Sequence, residues 1–162
     1  MDPVKVQAVV NWPNPRNLQD LQGFLGFANF YHQFIRDFAT LARPLNDLTK
    51  KDVRWEWEDL QHKAFKGLKE TFTQEPILTM WEPQRPTRLE VDASSFATGG
   101  VLMQEKEDGF WYPIAYQSES MSDAEQNYEI YDKEMLVVVR ALEDWRHYLE
   151  GLPHPFDIIT DH

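Results

Sequence analysis

The stretch LEVDASSFATGGVLMQEKEDGFWYPIAY, residues 89–116, decides the fold of this 162-residue chain. Leu89-Glu90-Val91-Asp92 begins a period-two alternation, which is typical of a strand with one buried face. Gly99-Gly100 interrupts this alternation, and Asp108-Gly109 marks a hairpin turn further along. The pattern therefore predicts three antiparallel strands.

A long helix and a fourth strand are predicted after these three strands. Ser122-Asp123-Ala124-Glu125 is a capping box, and it opens a helix predicted over 122–149. The helix would bury one apolar side, made of Tyr128, Tyr131, Met135, Val138, Leu142, Trp145 and Leu149. Residues 155–161 indicate a buried strand. A crossover helix lets that strand pair in parallel with the first one, which gives a half-built α/β layer.

The first half of the chain is predicted to be mostly helical. Asn17 is a candidate N-cap, and apolar residues at three- and four-residue spacing predict one helix over 17–38. A second helix is predicted to begin near Asp59 and to end at Glu75-Pro76. We therefore expect an α/β (α+β) chain, with a helical segment over residues 1–54 and an incomplete layered domain over 55–162.

Charge and composition exclude several classes of protein. Residues 81–162 carry six Lys or Arg against seventeen Asp or Glu, whereas residues 1–80 carry ten of each, so the second half is acidic. An acidic surface disfavours nucleic-acid binding through a broad basic patch. The absence of Cys excludes disulfide frameworks and thiol nucleophiles. No apolar run is long enough for a membrane span, and we expect an intracellular protein of the cytoplasm or nucleus.

Three carboxylates are candidate site residues. Asp92 ends the first strand, Glu134 lies near the edge of the buried face of the helix, and Asp161 closes the last strand. Parallel pairing of the two strands would bring all three acids together. Converging acids repel one another unless a divalent metal such as Mg²⁺ occupies the site. The alternative is that each acid is an ordinary surface charge, because this spacing is not a motif in itself.

Seven segments of the second part occur in one characteristic order. They are 92–94, 99–104, 113–116, 127–128, 131–134, 145–151 and 160–162. In this order they resemble the ribonuclease H region of gypsy-type long-terminal-repeat retrotransposon polyproteins. Segments 12–15, 24–26, 31–35 and 44–45 resemble the end of the reverse transcriptase thumb and connection, and 57–68 resembles the helix that bridges the two regions.

The resemblance implies a ribonuclease H-like fold and a two-metal nuclease site. It implies that Asp92 binds both Mg²⁺ ions, that Glu134 binds one, and that Asp161 completes a third corner, with Mn²⁺ able to replace Mg²⁺. The implied activity is endonucleolytic hydrolysis of the RNA strand in RNA–DNA hybrids. The implied partners are the hybrid and the remainder of a multifunctional polyprotein that also holds the RNA-directed DNA polymerase.

The chain departs from the family pattern at three places. The polymerase palm is absent, and the sequence ends at His162, before the fourth metal-binding acid, so we expect the fragment to be weakly active or inactive. Glu119 stands where the family commonly has basic residues, which disfavours hybrid binding by that stretch. The alternative function is a non-catalytic structural or protein-interaction module of retroelement origin. Uncovered core surface would also allow self-association.

Overall fold

The computed structural model describes residues 3–74, apart from the side chain of Gln33, and residues 78–160. The chain divides into two compact units, Met1–Pro76 and Ile77–His162. Within the described ranges, no helix combines the length and the apolar composition that a bilayer crossing requires.

Helices are the regular elements of the first unit in its described residues. Its elements are α1 (Pro3–Val10), α2 (Leu18–Phe30), a 3-10 turn (His32–Phe34), α3 (Phe38–Leu48) and α4 (Asp59–Thr73). Their buried faces meet in one hydrophobic cluster. Phe24 and Phe65 are fully buried at its centre, with ring centroids 4.7 Å apart in an edge-on arrangement. Packing of this kind provides most of the stability of short helices.

The boundary between the two compact units, Met1–Pro76 and Ile77–His162, lies later in the chain than the predicted domain boundary between residues 54 and 55. α4 belongs to the first unit, because Phe65, Leu68 and Phe72 on its buried face pack into the helical cluster. The helix itself begins and ends close to the predicted positions. An apolar stripe shows that a helix packs against something, but the stripe does not say which neighbour it packs against.

The prediction of a single helix over 17–38 is wrong, because α2 covers only the first part of this range and α3 begins at its end. Asn17 is the N-cap, as expected, and its Oδ1 accepts the N–H of Asp20 at 2.9 Å. α2 nevertheless ends at Phe30, and the 3-10 turn follows. Asp37 then adopts the left-handed conformation with φ 57°, which a short polar side chain tolerates better than most. This turn redirects the chain into α3.

A four-stranded sheet forms the second unit together with its helices. The strands are β1 (Thr87–Ala93), β2 (Ala97–Glu105), β3 (Trp111–Ser120) and β4 (Asp157–Thr160). Their order is β3-β2-β1-β4, with β1 parallel to β4 and the other neighbours antiparallel. Three antiparallel strands and a parallel fourth strand are thereby confirmed. Gly109 in the β2–β3 hairpin has φ 81°, as the Asp-Gly signal predicts.

β4 is less buried than predicted. Its side chains alternate between exposed and half-buried, and Ile159 is 43% exposed. Among the described strands, β4 pairs with β1 alone. A strand at the edge of a sheet buries less side-chain surface than one that lies between two neighbours and beneath a covering layer. The apolar run in its sequence therefore overstated its burial.

The helix predicted over 122–149 is divided into three. The capping box is confirmed, since Ser122 Oγ accepts the Glu125 N–H at 3.2 Å and Glu125 Oε1 accepts the Ser122 N–H at 2.8 Å. The helix that it caps lasts a single turn, and the chain then begins a new helix. The three pieces are α5 (Asp123–Gln126), α6 (Ile130–Asp144) and α7 (Arg146–Leu149).

α6 buries only the later part of the predicted side, since Val138 and Leu142 pack against the hydrophobic cluster of the second unit. Val137 and Ala141 are buried against the sheet, whereas Tyr131 and Met135 are 78% and 62% exposed. The predicted stripe took its phase from Tyr128, which precedes the start of α6. Because the helix restarts after that residue, only the early members of the predicted stripe lie on the exposed side.

Trp145 joins the end of α6 to the sheet. It is 3% exposed and lies in the hydrophobic cluster of the second unit. A Cβ at Gly100 would lie 3.2 Å from Cη2 of Trp145 and 3.1 Å from Cγ1 of Val91. Such a close approach favours glycine at position 100, because an added methyl group would displace its neighbours by a few tenths of an ångström. This contact holds α6 tightly against β1 and β2.

Candidate functional site

A cleft lies at the end of β1, beside the first two turns of α6. Its volume is about 280 Å³. β1 and the turn after it contribute residues 91–95, and β4 contributes Thr160. Lys133, Glu134 and Val137 line the cleft from α6. One strand end, one helix and a parallel neighbouring strand therefore share this surface.

Asp92 presents its carboxylate at this cleft. It alternates along β1 with Val91, which is buried, and it is itself exposed. Its Oδ1 accepts the N–H of Ala93 at 2.8 Å, which orients the carboxylate. The next residues make a tight turn in which Ser94 Oγ accepts the Ala97 N–H at 3.1 Å. Small side chains follow Asp92, as predicted, and leave room for a ligand.

Glu134 lines the same cleft from the helix. It is half-buried and lies one turn before the buried Val137, so it stands at the edge of the packed face, as expected. The structure thus brings Asp92 and Glu134 to one surface. Asp161 lies outside the described residues. Its neighbour Thr160 is described, pairs with Val91 and lines the cleft.

Sequence reasoning assigned no role to three other residues of the cleft. Tyr128 was placed on the buried side of a helix, but it is 43% exposed and lines the cleft together with Ile130. Lys133 is half-buried there. One signal in the sequence could have identified Lys133: it lies four residues before Val137 and therefore on the same side of α6.

An arginine network ties α6 to α5 and to the sheet. Nη2 of Arg140 donates to both carboxylate oxygens of Glu125, at 2.9 and 3.1 Å. Its Nε lies 3.3 Å from Oε2 of Glu119, and its Nη1 donates to Oγ1 of Thr98 at 3.3 Å. The acid at position 119, which we expected to oppose nucleic acid, therefore has a cationic partner. The network also fixes α5 beside the wall of the cleft.

Acid is expected to weaken this network through Glu125. Its pKa is lowered mainly because the Ser122 N–H donates to its carboxylate, with a further contribution from Arg140. A carboxylate of this kind stabilises the fold above its unfolded-state pKa, and the effect is lost as the pH falls through the lowered value. Glu125→Gln should therefore reduce the free energy of unfolding near neutral pH and cost progressively less in acid. Urea titrations across this range test the expectation, and a pH-independent cost would contradict it.

The donor set of the cleft fits a magnesium ion. In the part of the chain that the structure describes, no three His, Cys, Asp or Glu side chains form a group that could hold a metal ion. Two carboxylates, those of Asp92 and Glu134, do line one cleft. Proteins often hold Mg²⁺ with one or two carboxylates, while waters and substrate phosphates complete its octahedral shell.

Two comparisons of sequence identify relatives of the chain. The family model for the RNase H-like domain found in reverse transcriptase matches residues 57–158, a range that includes α4, β1 to β3, α6 and the start of β4. The Transposon Tf2-3 polyprotein of Schizosaccharomyces pombe (strain 972) is 42% identical over 157 residues, which are 97% of this chain. The chain spans 12% of the length of that polyprotein.

Solved structures share the fold. A foamy viral protease-reverse transcriptase in complex with an RNA/DNA hybrid matches with a TM-score of 0.80 and 21% identity, over 100% of this chain and 22% of that chain. A complex of the foamy viral enzyme with dsDNA gives 0.81 and 20%, over 100% and 33%. These structures confirm the predicted fold class, while the family model and the Tf2 relative confirm the family resemblance. The chain belongs to the family of RNase H-like domains found in reverse transcriptase.

Proposed function

We propose that this chain carries the ribonuclease H site of a retrotransposon reverse transcriptase polyprotein. The proposed parent activity is hydrolysis of the RNA strand in RNA–DNA hybrids. One observation carries the proposal: Asp92 and Glu134 line a single cleft together with Thr160, the residue before Asp161. The match to a Tf2 polyprotein supports a polyprotein context. The foamy viral complex with an RNA/DNA hybrid supports the choice of substrate.

In this proposal Asp92, Glu134 and Asp161 would hold Mg²⁺, or Mn²⁺ in its place. When bound, the metal would supply an activated water and neutralise the charge of the scissile phosphate. The Ala93 N–H keeps the Asp92 carboxylate oriented for this role. The small side chains at 93–95 let a nucleic-acid backbone approach the acids. Arg140 ties α6, the helix that carries Glu134, to Glu125.

The isolated chain is proposed to be weakly active or inactive. It spans 12% of its polyprotein relative, and polymerisation belongs to the proposed whole polyprotein and not to these residues. Metal binding is therefore a sharper test than turnover. Binding of a divalent ion needs the carboxylates of the cleft, whereas cleavage also needs the substrate to be held correctly.

A manganese titration followed by NMR tests the proposed site. Mn²⁺ broadens the amide signals of residues near the bound ion, so signals of 92–95 and 133–134 should vanish first. The acidic turn at 107–108 serves as the internal control, because it carries two neighbouring carboxylates but does not line this cleft. First loss of signal at 107–108, or uniform broadening over the whole chain, would contradict the proposed metal site.

A second candidate function is a non-catalytic protein-interaction module. It is favoured by an exposed apolar stripe on α6, formed by Tyr131, Met135 and Val139 at four-residue spacing. The same titration separates the two candidates. Localised broadening at the cleft supports the nuclease, whereas absence of localised broadening, together with a scattering mass well above 19.2 kDa, supports the interaction module.

A further inference from the structure

Nearly every cation of the second unit is held by a carboxylate. Six Lys or Arg residues lie between residues 78 and 160, and five of them form ion pairs in the structure. The pairs are Arg85 with Glu82, Arg88 with Glu90, Lys106 with Glu82, Arg140 with Glu125, and Arg146 with Glu150. Lys133 is the exception, since it forms no ion pair with any residue that the structure describes.

The one lysine of the second unit without such a pair among the described residues, Lys133, lies at the candidate site. Lys133 is half-buried in the first turn of α6 and lines the cleft beside Asp92 and Glu134. Carboxylates outnumber cations by seventeen to six over residues 81–162, so an ammonium in this unit has many acids to pair with. Its place on the helix nevertheless keeps the charge at the cleft, and none of the acids in residues 3–74 and 78–160 forms an ion pair with it. We infer that this charge serves a ligand.

The chemistry of the ammonium group restricts what that ligand is. A protonated lysine has three donors and no acceptor, so it does not ligate a metal ion, and it attracts anions. In a nucleic-acid duplex the anionic groups are the backbone phosphates, while the base edges are neutral. Resting on the proposed function, we propose that Lys133 binds a backbone phosphate of the RNA–DNA hybrid. Lys133 thereby orients the strand across Asp92 and Glu134.

Salt-dependent binding of a hybrid tests this assignment. The 162-residue chain is titrated into a fluorescein-labelled RNA–DNA hybrid over a series of salt concentrations, and anisotropy gives Kd. Ca²⁺ replaces Mg²⁺ so that carboxylate sites are filled with the same charge. Lys133→Gln is expected to weaken binding about tenfold at low salt. It should also reduce the slope of log Kd against log salt by about one, the loss of one phosphate contact.

Two further variants separate a cleft contact from general attraction. Arg146→Gln removes the same charge from an exposed position outside the cleft, and it should leave the slope nearly unchanged. Lys133→Arg keeps the charge and should retain most of the affinity. Equal effects of Lys133→Gln and Arg146→Gln would overturn the assignment, as would an unchanged slope in Lys133→Gln. Hybrid binding by the wild-type chain would then still support the proposed function, whereas failure of the wild-type chain to bind any hybrid would overturn both.

Discussion

Asp92→Asn is expected to abolish hybrid cleavage by any form of the protein that has this activity, and to weaken Mg²⁺ binding more than about 100-fold. The substitution preserves the size of the side chain but removes its negative charge, which a hard divalent cation requires of its ligand. The orienting Ala93 N–H would still find an acceptor in the amide oxygen. The fold should therefore survive. Calorimetric Mg²⁺ titration measures the affinity, and release of labelled RNA fragments from a hybrid measures the cleavage.

Glu90→Gln is the matched control for this substitution. Glu90 lies two residues earlier on the same side of β1, is half-buried, and pairs with Arg88 at 3.1 Å, but it does not line the cleft. Its replacement removes the same charge from the same strand. We expect Mg²⁺ affinity to change less than about threefold, because solvent screens the charge of a side chain that lies outside the cleft. If Asp92→Asn and Glu90→Gln had equal effects, Asp92 would not be a metal ligand.

Trp145→Ala is expected to cost about 3–5 kcal/mol of the free energy of unfolding of the second unit. The side chain is 3% exposed and fills the space between α6, α7 and the sheet, so its removal leaves a large cavity. Urea unfolding followed by far-UV circular dichroism measures the loss, since this signal does not depend on the tryptophan. Hydrogen exchange of the β2 amides should accelerate in parallel.

Trp111 and Gly100 provide controls for the tryptophan. Trp111 is half-buried at the start of β3, where Arg88 lies 4.2 Å from its ring centroid, so Trp111→Ala should cost clearly less than Trp145→Ala. Gly100→Ala should cost about 1–3 kcal/mol in the wild-type chain, because the new methyl would crowd Trp145. The same change should cost less in a Trp145→Ala background. Simple additivity of the two changes would contradict the contact.

Local patterns in the sequence were sufficient to predict the strands. The alternation from Leu89 and the Asp108-Gly109 turn depend only on neighbouring residues, and the structure confirms both. The helical breaks could not be predicted in the same way. α2 ends at Phe30, and the left-handed Asp37 then directs the chain into α3, although the apolar period continues through this region. The spacing of apolar residues identifies an apolar side of a helix, but packing against elements distant in sequence decides which side is buried.

The site was predicted to a different extent for each residue. Asp92 and Glu134 were named from their spacing and from the family resemblance, and the structure brings them to one cleft. Their roles as ligands remain predictions, and Asp161 lies outside the described residues. The spacing from Val137 could have placed Lys133 on the cleft side of α6, but the pairing of the other cations with carboxylates is visible only in three dimensions.

The parallel pairing of β4 with β1 has a consequence for synthesis on the ribosome. Thr160 stands opposite Val91, so one wall of the cleft is contributed by a residue that is translated well after the first strand. The antiparallel meander can form as it emerges, whereas the pairing across the long crossover has to wait. A nascent polypeptide would therefore form the three-stranded meander before the wall of the cleft that β4 contributes.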